Sequence, residues 1–406
     1  MVSVVSKSNH KIIEWIVYFL LILTISNTAQ LCFNQTFKFG VIALFLVFDI
    51  ALKKKNDRII LWILGLWLLI NLVYTFVFSA PFGLNQTIGY ATPVIMAYLA
   101  MVIIGPAFWE KLEKWIYVLT CISLVMFVGN LLLPGVYDSL SSVFGGYIAE
   151  FYTDARPSSW YAFVYTYSPI EEIYYMRNAG FMWEAGAYAM TSLIALIYRI
   201  GRNGMNFDKK CIVYIIAIVT TFSSAGYLAL MLFFAYYFAY KRNFWYTILL
   251  AVLIFVGIPY IYQLEFMSEK FADYMSNSNL NAASYNERLE MFEYNRFTVF
   301  EINMKRLLEW PVGYGVNEIR DYSGMRFVGV NGLGAFSRMW GVAGLVLLIY
   351  GIQRTVRMMN TTIGKGTAFF FLLPVLVMFF SNPIEFSAIP WFFCLTPFIY
   401  RKYKNI

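Results

Sequence analysis

Arg288, Arg296 and Arg306 recur at a spacing that a helix would turn into one face. If 287–309 is a single helix with Arg288 at zero, Arg296 lies at about 80° and Arg306 returns to about 0°. Glu290, Glu293, Glu301 and Glu309 then fall between about 140° and 300°, on other faces. The planar guanidinium fork suits bidentate binding of phosphate. A face of arginines at a membrane boundary therefore reads as a site for a lipid phosphate or diphosphate, and Arg320 and Arg326 follow in the same segment. The competing reading is a surface helix whose arginines pair with its own glutamates or with lipid headgroups. The segment as a whole is net acidic, so it is not a basic patch and does not suggest nucleic acid.

Other ionisable residues lie at the ends of apolar runs. Arg177 precedes one such run in Arg177-Asn178-Ala179-Gly180-Phe181-Met182-Trp183-Glu184, with Glu184 about one turn inside it. Arg338 sits similarly in a later run, and Glu385 opens the last. Ionisable residues inside a membrane are costly and suggest function, facing the bundle and paired; a structural Glu184–Arg338 pair is the bland alternative. The single histidine, His10, is in the N-terminal tail. That removes histidine-based zinc sites and Ser-His or Cys-His nucleophilic catalysis from the far face. Glu171 and Glu172 are adjacent and point apart, so they do not form a glycosidase pair. The residues expected to carry catalysis are Arg177, Glu184, Arg288 and Arg296. Arg306, Arg320, Arg326 and Arg338 are expected to bind substrate, and no metal or cofactor is expected.

The elements that must hold these residues are membrane helices. Of 406 residues, 60% are hydrophobic and 13% charged. Soluble domains carry about a quarter charged residues, so this composition excludes a soluble globular enzyme, a disordered chain and a disulfide scaffold. Apolar runs of about 20 residues recur along the chain, each long enough to cross a bilayer core of about 30 Å. A closed β-barrel would show short alternating segments instead. The pattern predicts an all-α polytopic membrane protein, one integral domain over 1–406. About twelve transmembrane helices fall near 12–31, 38–52, 59–79, 90–108, 114–134, 179–199, 211–225, 227–240, 243–262, 332–353, 366–381 and 384–400. Basic residues cluster between alternate runs, at Lys53–Lys55 and Arg58, Lys111 and Lys114, Arg199 to Lys210, and Arg401 to Lys404. By the positive-inside rule that side is cytoplasmic, and an even helix count puts both termini there.

Two segments on the other side are too long for turns, 135–178 and 263–331. The first is rich in tyrosine and tryptophan, suited to sugar stacking or to the membrane interface. Function is expected on this outer side. The cysteines (Cys32, Cys121, Cys211 and Cys394) lie in or beside apolar runs and imply no disulfide framework.

The order of four stretches resembles the bacterial O-antigen polymerases (Wzy-type) and the related O-antigen ligases. Arg177 to Glu184, continuing into Ala185-Gly186, resembles the family's Arg…Gly-Phe…Glu entry to a membrane helix. Thr221-Phe222-Ser223-Ser224-Ala225-Gly226 resembles its serine-containing hairpin. Arg288 or Arg296, followed by Trp310-Pro311-Val312-Gly313-Tyr314-Gly315, resembles the arginine and Pro-x-Gly-x-Gly stretch of its large periplasmic loop. Val330-Asn331-Gly332-Leu333 and Trp340-Gly341-Val342-Ala343-Gly344-Leu345 resemble the block that begins His-Asn in the ligases. Here Val330 stands where the ligases have histidine, which favours a polymerase, and the polymerases' repeated motif of arginine with glycine eleven residues on is not found at these arginines.

The resemblance implies a multi-pass protein of the bacterial inner (cytoplasmic) membrane with its active site facing the periplasm. It implies transfer of a growing glycan chain from undecaprenyl diphosphate onto a lipid-linked repeat unit. Undecaprenyl-diphosphate-linked glycans, membrane lipids and a chain-length regulator protein are the implied partners, and Asn331 joins the substrate-binding set. The first outer connection, Leu31 to Phe37, carries no acidic residue, which disfavours a metal-dependent lipid-sugar transferase with its carboxylate there. Two alternatives stand beside this reading: a flippase for lipid-linked units, for which internal repeats are common and none is evident, and an O-antigen ligase.

Overall fold

The computed structural model describes residues 7–26, 34–52, 58–137, 139, 159–161, 164–167, 177–241, 245, 248, 249, 252, 284–286, 291–317, 327, 328, 330–359 and 368–401. Within them lie twelve α-helices: α1 (Lys7–Ser26), α2 (Gln35–Leu52), α3 (Ile59–Phe78), α4 (Leu84–Ile104), α5 (Phe108–Leu132), α6 (Ala185–Arg202), α7 (Lys209–Thr220), α8 (Ser224–Lys241), α9 (Arg296–Glu309), α10 (Gly332–Met359), α11 (Ala368–Ser381) and α12 (Ile389–Ile399). Four helical stretches are long and apolar enough to cross a membrane: Gln35–Leu52, Ile59–Phe78, Leu84–Leu132 and Gly332–Met359. The third is two helices, α4 and α5, parted by a 3-10 turn at Gly105–Ala107, where Gly105 has φ 75°. The expected helix 243–262 falls outside the described residues except Trp245, Ile248, Leu249 and Val252, which are helical and exposed. The twelfth described helix is instead α9, inside the second long loop.

Helix ends sort into two groups by their contacts. At one end, Lys111 of α5 pairs with Glu14 of α1 at 2.5 Å, and Lys210 of α7 lies 3.4 Å from the buried Glu113 of α5. There too Arg199 closes on Asp208, and Trp109 donates to Thr396 of α12 at 2.9 Å. At the other end, the short 79–83 connection joins α3 to α4, and Trp67, midway along α3, donates to the Thr87 carbonyl near the start of α4 at 2.8 Å. The start of α6 meets the end of α1, where the Trp183 amide donates to the Ser26 carbonyl at 3.0 Å. Successive helices therefore run up and down. Lys111, Arg199 and Lys210, read as topogenic, sit at the first end and α9 at the second.

One core of buried apolar side chains runs through the bundle, built around α4, α6, α10 and α12. Trp340 stacks on Trp67 and meets Trp391 edge-on, with ring centroids 4.3 Å and 4.6 Å apart. The outer sides of α2 and α3 expose Leu44, Val47, Ile50, Leu61, Trp62, Leu69 and Phe76. Contiguous apolar surface of this kind is rare on soluble monomers and matches lipid.

Short strands mark the long loops. Strands β1 (Ser159–Tyr161) and β2 (Tyr165–Tyr167) form an antiparallel hairpin, with Ser159 opposite Tyr167. Of the aromatic residues in this loop, Tyr165 is buried, and its hydroxyl accepts from Asn130 of α5 at 3.3 Å. It is a packing residue, not a sugar platform. Strands β3 (Ser284–Asn286), β4 (Met291–Glu293) and β5 (Phe327–Val328) lie in that order, β3–β4 antiparallel and β4–β5 parallel.

Candidate functional site

The expected helix 287–309 begins at Arg296, nine residues later. Asn295 ends the extended approach from β4 (φ −65°, ψ 163°), and its side chain accepts from the Phe297 and Thr298 amides at 3.0 and 2.9 Å. Asparagine here satisfies amides that the first turn leaves orphaned, so the helix starts where its cap is. Arg288 lies outside the described residues, as do Arg320 and Arg326. Helix α9 buries Thr298, Val299, Ile302, Asn303 and Leu307 against α10. Its outward side carries a Lys305–Glu301 pair at 2.6 Å. Arg306 pairs with Glu309 at 2.8 Å, the pattern of the surface-helix reading.

Arg296 does something different. Its Nη1 donates to Ser381 Oγ at the end of α11. Its carbonyl accepts from Asn331 Nδ2 at 3.2 Å, while Asn331 Oδ1 caps α10 by accepting from the Gly334 amide at 2.7 Å. One asparagine thus fixes the start of α9 against the start of α10. Two turns on, Arg338 donates through Nε to Asn303 Oδ1 at 2.8 Å and through Nη1 to the Asn317 carbonyl at 3.1 Å. The Glu184–Arg338 pair is not formed. Among the described residues no carboxylate lies within ion-pair distance of Arg338, whose partners are neutral oxygens.

Just past Arg338 the helix breaks. Gly341 has φ 68° and ψ −171° inside α10. The freed backbone groups are taken up by Pro311–Gly315, which crosses the break. The Tyr314 amide donates to the Arg338 carbonyl at 2.9 Å, the Gly315 amide to the Met339 carbonyl at 3.1 Å, and the Val342 amide to the Pro311 carbonyl at 3.0 Å. Irregular backbone at membrane depth survives only when buried and satisfied in this way. A Cβ on Gly341 would come within 2.3 Å of the Val312 carbonyl oxygen, and one on Gly313 within 2.7 Å of the Gly341 nitrogen. The Pro-Val-Gly-Tyr-Gly and Trp-Gly-Val stretches are therefore two halves of one junction.

The other two stretches also meet. The Asn178 amide donates to the Thr220 carbonyl at 3.0 Å, and Asn178 Nδ2 donates to Thr220 Oγ1 at 3.0 Å. Arg177 Nε donates to the Thr221 carbonyl at 3.1 Å. Arg177 is thus fastened to the α7–α8 turn, apart from the α9–α10 junction. Glu184 is at the N-cap position of α6, and it is Gly186, two residues on, that approaches the α11–α12 connection: a Cβ there would lie 3.1 Å from Asn382 Oδ1.

The α11–α12 connection is the meeting point. Ser381 receives Arg296. Asn382 approaches Gly186 with its side chain and Gly332 with its carbonyl oxygen, which a Cβ on Gly332 would meet at 1.8 Å. Glu385 sits in a 3-10 turn, Ile384–Phe386, and not in a helix beginning at 384; α12 starts at Ile389. Burial pushes the Glu385 carboxyl up to about 8, opposed by the nearby Arg338 charge. Sequence reasoning missed Asn303, Ser381 and Asn382. The Asn382-Pro383 step was the available signal for a turn.

No family model matches the chain, and no curated protein matches it. The site stands on its geometry alone. Two arginines on neutral hydroxyl, amide and carbonyl partners, with a carboxylic acid beside one of them, form an arrangement able to receive an anion between the loop helix and the helix bundle.

Proposed function

We propose that the protein polymerises polysaccharide repeat units carried on undecaprenyl diphosphate, at the periplasmic face of a bacterial inner membrane. The observation that carries the reading is the meeting of Arg296, Asn331 and Arg338 at the α9–α10 junction. In such a reaction an acceptor hydroxyl attacks an anomeric carbon whose leaving group is a lipid diphosphate. The new C–O bond forms as the C–O bond to phosphate breaks, and negative charge collects on the diphosphate. Guanidinium groups fixed beforehand stabilise that charge without reorganising. Arg296, held by Ser381 and by the α9 cap, is the arginine to which we assign this role; Arg306, paired with Glu309, is the weaker candidate. Glu184 receives the hydroxyl proton or orients the acceptor.

The test uses a strain lacking this protein and purified protein in liposomes with lipid-linked repeat units. Wild type yields a ladder of chain lengths. Arg296→Ala, present in the membrane at normal level, reduces chain extension by about 100-fold or more, the usual cost of losing a preorganised charge donor. Arg306→Ala retains most activity. Full ladders from Arg296→Ala, or repeat units trapped inside cells lacking the protein, would defeat the reading; the second outcome would favour transport.

A further inference from the structure

Arg338 is a cation near the end of a bundle helix, held by two neutral acceptors, Asn303 Oδ1 and the Asn317 carbonyl. Its remaining N–H donors have no hydrogen-bond partner among the described residues, and such a charge at a membrane boundary calls for an anion. Glu385 is the acid whose field meets it, yet the two form no ion pair. Glu385 Oε2 is buried and has no hydrogen-bond partner among the described residues. Both residues are half-buried. The absence of an ion pair between them, among the described residues, fits a neutral acid beside an unmatched cation.

We propose that Arg338 and Glu385 form a proton-linked diphosphate site, in which the guanidinium holds the diphosphate of a polyprenyl lipid while the Glu385 carboxyl keeps its proton. The ligand class rests on the polymerase reading; the coupling rests on this pair. An ionised Glu385 would repel the diphosphate and compete for the same guanidinium, so deprotonation empties the site. The groups facing Glu385 are few. Arg338 faces it from α10 and Tyr90 from α4, the Tyr90 ring lying 5.1 Å from Phe386. The described part of α12, which also packs on the turn, carries only Cys394 as a titratable group.

With the carboxyl titrating at about 8, binding that requires the protonated form weakens about tenfold from pH 7 to pH 9. The experiment uses full-length protein in zwitterionic nanodiscs and two probes, geranylgeranyl diphosphate and inorganic diphosphate. Glu385→Gln, neutral and of the same shape, is the main variant and corrects for the probes' own titration. Wild type should bind about ten times more weakly at pH 9 than at pH 7, Glu385→Gln should bind equally at both, and Arg338→Gln should lose binding. Binding of both probes assigns recognition to the diphosphate; binding of the lipid probe alone adds the chain. Equal pH dependence in wild type and Glu385→Gln, or no binding of either probe, overturns the inference. Probe binding with this profile in a protein that makes no polymer would keep the site and remove the polymerase reading. Polymerisation without the profile would do the reverse.

Discussion

Replacing Gly341 by alanine tests whether the break in α10 is held open by the Pro311–Gly315 segment that crosses it. The backbone there (φ 68°, ψ −171°) lies in a region that only glycine occupies without strain, and a side chain costs about 1–3 kcal/mol. The added Cβ would also sit 2.3 Å from the Val312 carbonyl oxygen and 2.6 Å from that of Pro311. Backbone cannot yield as a flexible side chain does, so relief requires Pro311–Gly315 to withdraw. That loses the Tyr314–Arg338, Gly315–Met339 and Val342–Pro311 hydrogen bonds, each worth about 0.5–1.5 kcal/mol net. Together the cost is about 3–7 kcal/mol. The assay is heat challenge in detergent followed by size-exclusion fluorescence, with hydrogen exchange at the three donor amides. Gly65→Ala is the control, because nothing lies within 4 Å of its Cβ position. If Gly341→Ala withstands heat as well as Gly65→Ala and keeps all three amides protected, the junction does not work as described.

Asn295→Ala should destabilise α9 by about 1 kcal/mol, seen as faster exchange of the Phe297 and Thr298 amides. Gly180→Ala places a Cβ 2.5 Å from the Tyr188 ring at φ 56°; lowered yield and loss of protection at Asn178, whose amide holds the α7–α8 turn, are expected. Glu385 binds its proton more tightly folded (about 8) than at its ordinary value of 4.5. Stability therefore falls as pH rises from about 4.5 to about 8 and is level outside that window. Glu385→Gln lacks this loss, so the gap in unfolding midpoint between variant and wild type should open across that window; a pH-independent gap would contradict it.

Much of the bundle is legible in the apolar runs. The run 59–79 became Ile59–Phe78, 332 did begin a helix and 381 did end one. Boundaries failed where polarity and conformation part company. Helix α4 begins at Leu84 rather than 90 because Thr87 satisfies its hydroxyl on the Gly83 carbonyl, so polar residues sit within the helix. The run from Ala179 looked helical, yet Gly180 turns left-handed and α6 waits until Ala185. Residues Ile384 and Phe386 are as apolar as a helix, but form a 3-10 turn. The break at Gly341 is illegible locally, since one glycine is tolerated in a helix; its cause is carbonyls some thirty residues away in sequence. At the site, Arg338 stood out because an ionisable group in an apolar run is costly, Arg296 through its helical spacing from other arginines, and Asn331 through the family resemblance alone. Ser381, Asn382 and Asn303 did not, because their importance lies in what they touch across the fold.

The α11–α12 connection makes the loop helix and the last two helices a single heritable module. Asn382 lies so close to Gly332 that no side chain fits between them, and Ser381 receives the loop arginine. A chimera that imports residues 291–341 from another such protein while keeping its own final hairpin would import an arginine without its hydroxyl and a helix start without its clearance. Functional exchanges between such proteins should therefore succeed when 291–341 and 381–388 travel together, and fail when they are separated.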